Sequence, residues 1–188
     1  MKALVIFGSR YGCTLEIAQR IADIIDGEGI ETHLVNLKDT KKKNWPMINA
    51  YDGVVIGSGI QISQWVKESK KYLKEIADEL KKGKIKYALF VSSAYSSVDS
   101  GKAKELYIDK FIEKMGLPPP VISAAFAGVL DFSEDSNLGK IKKEALKAAA
   151  KGMTNEKKEL EFDYQGCNDL RDWDSIEKFA HEFVDLLK

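Results

Sequence analysis

The stretch KALVIFGSRYGCTLEIAQRIA, residues 2–22, decides the fold. It begins with a continuous apolar run, passes through a short loop of glycine and hydroxyl residues, and continues with apolar residues at helical spacing. A continuous apolar run is typical of a strand that is buried on both faces, as in a parallel sheet covered by helices. The stretch therefore predicts a strand, a tight loop and a helix that packs on the sheet.

The same alternation of strand and helix continues along the chain. Apolar runs predict five strands, at residues 3–7, 32–36, 53–57, 87–92 and 121–127. Amphipathic segments lie between them at 15–25, 73–80 and 103–111, and Asp172 is the predicted N-cap of a final helix. This pattern predicts an α/β fold, a doubly wound three-layer sandwich with a five-stranded parallel sheet.

More than forty residues separate the fifth predicted strand from the final helix. We therefore expect a single domain over residues 1–188, with an insert at about residues 129–172. An alanine- and lysine-rich helix is predicted within it at 138–151. Segments of this length are typical of a lid over a site, but a peripheral decoration explains the length equally well.

The composition excludes several classes of protein. With 44% hydrophobic residues and 29 basic against 29 acidic residues, the chain is typical of a folded protein with no net charge. Two cysteines and two histidines provide no metal-ligand spacing, and no basic stripe interleaved with aromatics indicates nucleic acid. No apolar run approaches the ~18 residues of a membrane helix, and no secretory pattern is present, so we expect a cytoplasmic protein.

The loop after the first strand carries the strongest chemical signal. In doubly wound sheets, ligands bind beyond the carboxyl ends of the strands. Glycines, hydroxyls and a helix start at this position predict a phosphate cradle. The nucleotide-binding pattern GxxxxGK[ST] and the dinucleotide pattern GxGxxG are both missing, which disfavours ATP and NAD. The candidate residues are Ser9, Arg10, Tyr11, Gly12, Cys13 and Thr14.

A phosphatase reaction is one alternative use of this loop. Cys13 stands at a helix start, where a thiol with a lowered pKa could attack a phosphate ester, as in the small tyrosine phosphatases. That chemistry needs an arginine about six residues later, but Gln19 occupies the position and Arg20 comes one residue too late. The spacing therefore disfavours a phosphatase.

The chain resembles the flavodoxin family, whose first loop reads approximately T/S-x-T-G-x-T. Ser9, Gly12 and Thr14 match this loop, whereas Tyr11 replaces the customary threonine or serine. The resemblance is closest to the branch that contains menaquinone-dependent protoporphyrinogen oxidase. It is carried by the opening stretch together with YDGVVIGSGIQISQW at 51–65, FAGVLDF at 126–132 and RDWDSIEKFAHEF at 171–183.

The resemblance implies strand order 2-1-3-4-5 and a bound FMN whose phosphate lies in the first loop. It also implies that a second loop and a third loop contact the flavin ring. Trp65 either covers that ring or belongs to the core, and Tyr95 either stacks on it or is a surface tyrosine. The implied residues are Ser58, Gly59, Ile60, Gln61 and Ile62 in the second loop, and Ser92, Ser93, Ala94, Tyr95 and Ser96 in the third.

Two functions fit this resemblance. One is a soluble electron-transfer protein that docks to redox protein partners. The other is an FMN-dependent oxidoreductase related to menaquinone-dependent protoporphyrinogen oxidase or to a quinone reductase. The helix predicted in the insert has little bulky apolar surface, which predicts no stable membrane insertion. No acid, base or nucleophile arrangement accompanies the predicted flavin loops, so the electron carrier is the preferred interpretation.

Overall fold

A parallel sheet forms the centre of the computed structural model, which describes residues 1–136 and 139–188. The strands are β1 (Lys2–Gly8), β2 (Glu31–Asn36), β3 (Gly53–Gln61), β4 (Gln64–Trp65), β5 (Lys86–Ser92), β6 (Ile122–Phe126), β7 (Val129–Asp131) and β8 (Cys167–Asp169). The parallel strands follow the order β2-β1-β3-β5-β6, while β4 pairs antiparallel with the end of β3. The expected order 2-1-3-4-5 is therefore confirmed for the five main strands.

Helices cover both faces of this sheet. They are α1 (Cys13–Gly27), α2 (Lys67–Lys81), α3 (Ser100–Lys104), α4 (Lys110–Met115), α5 (Lys140–Glu156) and α6 (Trp173–Leu187). A wider π turn at Glu105–Asp109 joins α3 to α4. Helices α1 and α6 share one apolar core with the sheet, and α2, α3 and α4 share the other. The predicted three-layer architecture is confirmed.

The strand β1 shows why its sequence is apolar throughout. Ala3, Val5 and Phe7 belong to the core under α1 and α6, whereas Leu4 and Ile6 belong to the core on the opposite face. All five side chains are fully buried. Because successive side chains of a strand point to opposite faces, a strand covered on both sides needs an apolar residue at every position.

The insert, residues 129–172, is structured beyond its predicted helix. Helix α5 extends to Glu156, further than expected, and its predicted first residue, Leu138, lies outside the described residues. Strands β7 and β8 form a separate two-stranded sheet that the sequence did not predict. The insert has its own apolar cluster, in which Leu130, Phe132, Ala150 and Met153 are buried. The expected N-cap is confirmed, since the Asp172 carboxylate accepts from the Ser175 N–H.

None of the helices in the described part of the chain combines the length and the apolar character needed to span a membrane.

Candidate functional site

The candidate site lies at the edge of the sheet where β1, β3 and β5 end. From β1 the chain crosses to β2 on one side, while β3 pairs with β1 on the other side. A crevice opens where the direction of crossing reverses in this way. The loops after β1 and β5 meet there, since Cys13 Sγ lies 3.5 Å from Ser92 Oγ. The structure therefore brings the first and third predicted loops together.

The first loop, residues 9–14, is a tight turn that begins α1. Ser9 Oγ accepts a hydrogen bond from the Gly12 N–H at 3.2 Å. Gly12 has a φ of 97°, a conformation that glycine adopts without steric cost. The N–H groups of Tyr11, Cys13 and Thr14 have no hydrogen-bond partner among the described residues. Several free N–H groups at a helix start form a binding site for an anion.

The side chains of this loop fit a phosphate group. Ser9 and Thr14 are both buried, at 7% and 3% exposure, so their hydroxyls line the turn rather than the outer surface. Arg10 is exposed beside them. The nearest acidic residue along the chain, Glu16, is bound by Arg171 and so does not leave a free negative charge beside the loop. Donors are concentrated here without an opposing carboxylate, as an oxyanion requires.

The hydroxyl of Thr14 points towards β3. A Cβ atom placed on Gly59 would stand 3.1 Å from Thr14 Oγ1, closer than side chains normally pack. Glycine at position 59 therefore allows the first loop to approach β3 closely. This contact links the predicted first and second loops through one hydroxyl and one glycine.

Cys13 does not have the properties of a nucleophile. Burial raises the pKa of the Cys13 thiol, even though its hydrogen bond with Ser92 and the charge of Arg171 act in the opposite direction. A nucleophilic cysteine needs a lowered pKa, because the thiolate is the reactive form. The thiol therefore contacts Ser92 as a neutral group, and the structure gives no support to the phosphatase alternative.

The second predicted loop is a β-hairpin, which corrects the expected end of the third strand at residue 57. Ile60 and Gln61 pair with Trp65 and Gln64 across a two-residue turn. The turn residues Ile62 and Ser63 have φ values of 47° and 55°. Two positive φ values define the turn that suits a twisted hairpin, but asparagine and glycine are its usual residues. Ile62 is 99% exposed at the tip.

Packing explains why position 57 is a glycine and position 58 a serine. Ser58 is fully buried, and its Oγ accepts from the Val66 N–H at 3.1 Å and donates to the Gly59 carbonyl at 2.9 Å. Gly57 lies directly against the ring of Phe90 and leaves no space for a Cβ atom. Gly57 and Ser58 thus hold the base of the hairpin, while Ile60, Gln61 and Ile62 extend from the sheet towards its tip.

Trp65 is a core residue. Its side chain is 4% exposed and stacks on Phe111 with ring centroids 4.7 Å apart, and its Nε1 donates to the Tyr107 carbonyl. A ring held in this way is not open to a ligand. Of the two alternatives that the sequence leaves open for Trp65, the structure therefore favours the core residue over the flavin-covering ring.

Hydrogen bonds between serines hold the third loop, residues 92–96, in place. Ser93 Oγ lies 2.7 Å from Ser96 Oγ and accepts from the Ser96 N–H, so it caps a short helical turn. Ser92 contacts Cys13, and all three serines are buried. Ala94 packs against the apolar cluster of the insert. Tyr95 is half-buried, and its hydroxyl donates to Glu156 at 2.8 Å.

Helix α5 of the insert reaches both of these loops. Near its start, Lys142 Nζ lies 3.5 Å from the Tyr11 hydroxyl, and at its end Glu156 accepts from Tyr95. The two positions are separated by nearly four helical turns, so they lie on one flank of the helix, about 21 Å apart. The insert is therefore a strap between the first and third loops rather than a peripheral decoration.

Arg171 attaches the insert to α1. Its Nη1 lies 2.7 Å from Glu16 Oε2, its Nε donates to Asp169 at 2.8 Å, and its guanidinium stacks on Trp173. Hydrogen bonds to Asp169 and Glu16 raise the pKa of Arg171, so it stays charged although its side chain is only 7% exposed. The sequence did not indicate this anchor, because Glu16 and Arg171 are 155 positions apart.

Comparison with known proteins agrees with this architecture. A family model described as Flavodoxin domain matches residues 4–159. A protein described as protoporphyrinogen IX dehydrogenase (quinone), from Escherichia coli strain K12, is 25% identical over 194 residues. That alignment covers 99% of this chain and 96% of the relative, so it includes the insert.

Solved structures share the fold at low identity. A short-chain flavodoxin associated with a non-canonical PDU bacterial microcompartment has a TM-score of 0.57 at 11% identity, covering 100% of this chain and 99% of that one. Oxidised flavodoxin 1 of Bacillus cereus has a TM-score of 0.50 at 17% identity, covering 86% of this chain and 100% of that one. Rubredoxin oxygen:oxidoreductase of Desulfovibrio gigas has a TM-score of 0.55 at 15% identity. The match covers 99% of this chain but only 36% of that protein.

Proposed function

Because the chain belongs to the flavodoxin domain family, we propose that it is an FMN-binding protein that carries electrons between redox protein partners. FMN is the cofactor that membership of this family implies. One observation carries the proposal, namely the first loop, where free N–H groups and the hydroxyls of the buried residues Ser9 and Thr14 meet at the start of α1. The phosphate of FMN fits this cradle, whereas riboflavin has no group to place in it.

Different residues would hold the phosphate and the ring of FMN. Ser9, Thr14 and the N–H groups of Tyr11 and Cys13 would bind the phosphate, which is the charged end of the cofactor. The hairpin tip around Ile62 and the third loop would orient the ring and exclude water from it. When bound, FMN supplies one-electron and two-electron chemistry, and the chain supplies binding and orientation.

The chemistry of the surrounding residues favours a carrier. The three loops contain no aspartate, glutamate or histidine, and the thiol of Cys13 is half-buried with a raised pKa. A reaction that moves protons to or from a substrate needs a general acid or base within hydrogen-bond reach. The exposed hairpin tip provides a place where a protein partner can approach. We also keep the expectation of a cytoplasmic protein, which rests on the sequence.

A second candidate function is an FMN-dependent oxidoreductase. Two observations favour it: the full-length similarity to a protein described as protoporphyrinogen IX dehydrogenase (quinone), and the contact of α5 with both the first and third loops. A strap over the cofactor suits a small substrate better than a large protein surface. On this alternative a porphyrinogen would be oxidised and a quinone reduced.

One experiment separates these candidates. The FMN-loaded protein is reduced anaerobically and mixed in parallel with cytochrome c, as a protein acceptor, and with a menaquinone analogue. Porphyrinogen oxidation is then measured with and without lipid vesicles, and free FMN serves as the control. A carrier reduces cytochrome c faster than free FMN does and does not catalyse porphyrinogen oxidation. Vesicle-stimulated oxidation of porphyrinogen, with the quinone as acceptor and cytochrome c inert, would identify the oxidoreductase instead.

A further inference from the structure

We propose that Lys142, a residue of the insert, supplies a positive charge to the phosphate group of the bound cofactor. The inference rests on the proposed function, because it concerns the same FMN phosphate. It goes further by assigning part of the binding site to the insert rather than to the strand-helix loop alone.

The position of Lys142 is the first reason. Its Nζ lies 3.5 Å from the hydroxyl of Tyr11, which is a residue of the first loop. The N–H of Tyr11 is one of the groups with no partner among the described residues. Lys142 also lies on the same flank of α5 as Glu156, which binds Tyr95 of the third loop. This flank therefore faces the candidate site at both ends of the helix.

The partners of the neighbouring lysines are the second reason. Lys147 forms an ion pair with Glu144, Lys143 donates to the Ser133 carbonyl, and Lys151 lies over the ring of Tyr164. These contacts direct the three side chains towards other parts of the insert. In the described part of the chain, by contrast, no carboxylate pairs with Lys142 or with Arg10. Lys142 thus brings an uncompensated positive charge to the first loop.

The negative charge of the phosphate is the third reason. A phosphate monoester carries a charge of about −1.5 to −2 near neutral pH, whereas the hydroxyls and N–H groups of the cradle are neutral donors. A lysine is a compact cation on a flexible four-carbon stem, so Lys142 can turn from the Tyr11 hydroxyl towards a phosphate held by the first loop. Tyr11 occupies a position where a shorter hydroxyl side chain would not extend as far towards α5. The tyrosine and the lysine therefore act as a pair.

The test compares FMN with riboflavin, which lacks the phosphate. Dissociation constants of both are measured by flavin fluorescence for the wild type, Lys142→Gln, Lys142→Arg and the control Lys151→Gln on the opposite flank of α5. Lys142→Gln should weaken FMN binding about two- to fivefold at low salt, the upper part of the range for an exposed contact between opposite charges. Riboflavin affinity should not change, and Lys142→Arg should restore FMN affinity.

Salt provides a second readout. The effect of Lys142→Gln should be largest at about 0.01 M salt, where the Debye length is about 30 Å, and should disappear at about 1 M, where it is about 3 Å. Equal losses of FMN and riboflavin affinity would overturn the inference, because they would indicate a structural role for Lys142. An unchanged FMN affinity of Lys142→Gln, in a variant that still prefers FMN to riboflavin, would also overturn the inference. In that case the proposed function would stand. A wild type with no preference for FMN would overturn the proposed function itself.

Discussion

Replacing Thr14 with valine should weaken FMN binding without destabilising the cofactor-free protein. Thr14 is 3% exposed, and its hydroxyl forms no hydrogen bond with the residues that the structure describes. Valine has nearly the same shape, so it fills the same space against Gly59 and keeps the β-branched side chain. The substitution therefore removes a hydroxyl group and little else.

The substitution should affect FMN binding strongly and the stability of the cofactor-free protein hardly at all. The Thr14 hydroxyl is not one of the fully buried partnerless atoms in the described part of the chain, so it keeps contact with water in the cofactor-free protein, and Thr14→Val should change the free energy of unfolding by no more than about 0.5 kcal/mol. A hydrogen bond to a charged group contributes roughly 1.5–3 kcal/mol. Its loss should weaken FMN binding roughly 10- to 150-fold, at a factor of ten for each 1.4 kcal/mol.

The assay combines urea unfolding of the cofactor-free protein with fluorescence titration of FMN. Thr32→Val is the matched control, because the Thr32 hydroxyl lies in β2 and donates to the Ile30 carbonyl at 2.8 Å. That control should lose about 1 kcal/mol of stability and keep the FMN affinity of the wild type. If Thr14→Val instead binds FMN normally, or loses as much stability as Thr32→Val, the hydroxyl serves the fold and the reasoning about the phosphate is refuted.

Three other predictions follow from strain, charge and pH. Ile62→Asn should raise the free energy of unfolding by about 0.5–1 kcal/mol in urea titrations, because asparagine tolerates the positive φ and the exposed isoleucine buries little surface; a loss of stability would contradict the hairpin geometry. Residues 1–152 carry five more basic than acidic residues, so the second one-electron reduction potential of bound FMN should be less negative than that of an acidic flavodoxin measured alongside, with a smaller difference at high salt. A potential at least as negative would show that local ring contacts outweigh the charge. The hydrogen bond from Arg171 lowers the pKa of the Asp169 carboxyl in the folded protein. The ionised carboxyl therefore stabilises the fold at pH values above its unfolded pKa of about 3.9. This stabilisation is lost as the pH falls through the lower pKa of the folded state. The stability difference between the wild type and Asp169→Asn should therefore shrink below about pH 4, and a difference that persists to lower pH would rule out this role.

The sequence predicts those parts of the molecule in which local pattern and tertiary structure agree. Strand β1 is buried on both faces, so its apolar run alone indicates a covered parallel sheet. The first loop is equally local, since its glycine, its hydroxyls and the start of α1 are contiguous in the chain. Asp172 caps α6 through the adjacent turn, and this contact also needs no distant residue.

The features that the sequence did not predict depend on distant residues or on an unusual conformation. The hairpin turn places Ile62 and Ser63 at positive φ, where a β-branched residue is rare, so no turn signal precedes β4. The burial of Trp65, a residue of β4, follows from its stacking on Phe111 in the distant helix α4. The contacts of α5 with Tyr11 and Tyr95 join segments far apart in the chain, and only the folded structure shows that one helix of the insert contacts both loops.

The most direct test of the central claim is the ratio of the affinities for FMN and riboflavin, measured by anaerobic titration of the purified wild-type protein. If the first loop is a phosphate cradle, one FMN binds per chain and riboflavin binds far more weakly, because the phosphate meets the N–H groups and hydroxyls at the start of α1. Equal affinities for the two flavins, or no binding of either, would contradict the account.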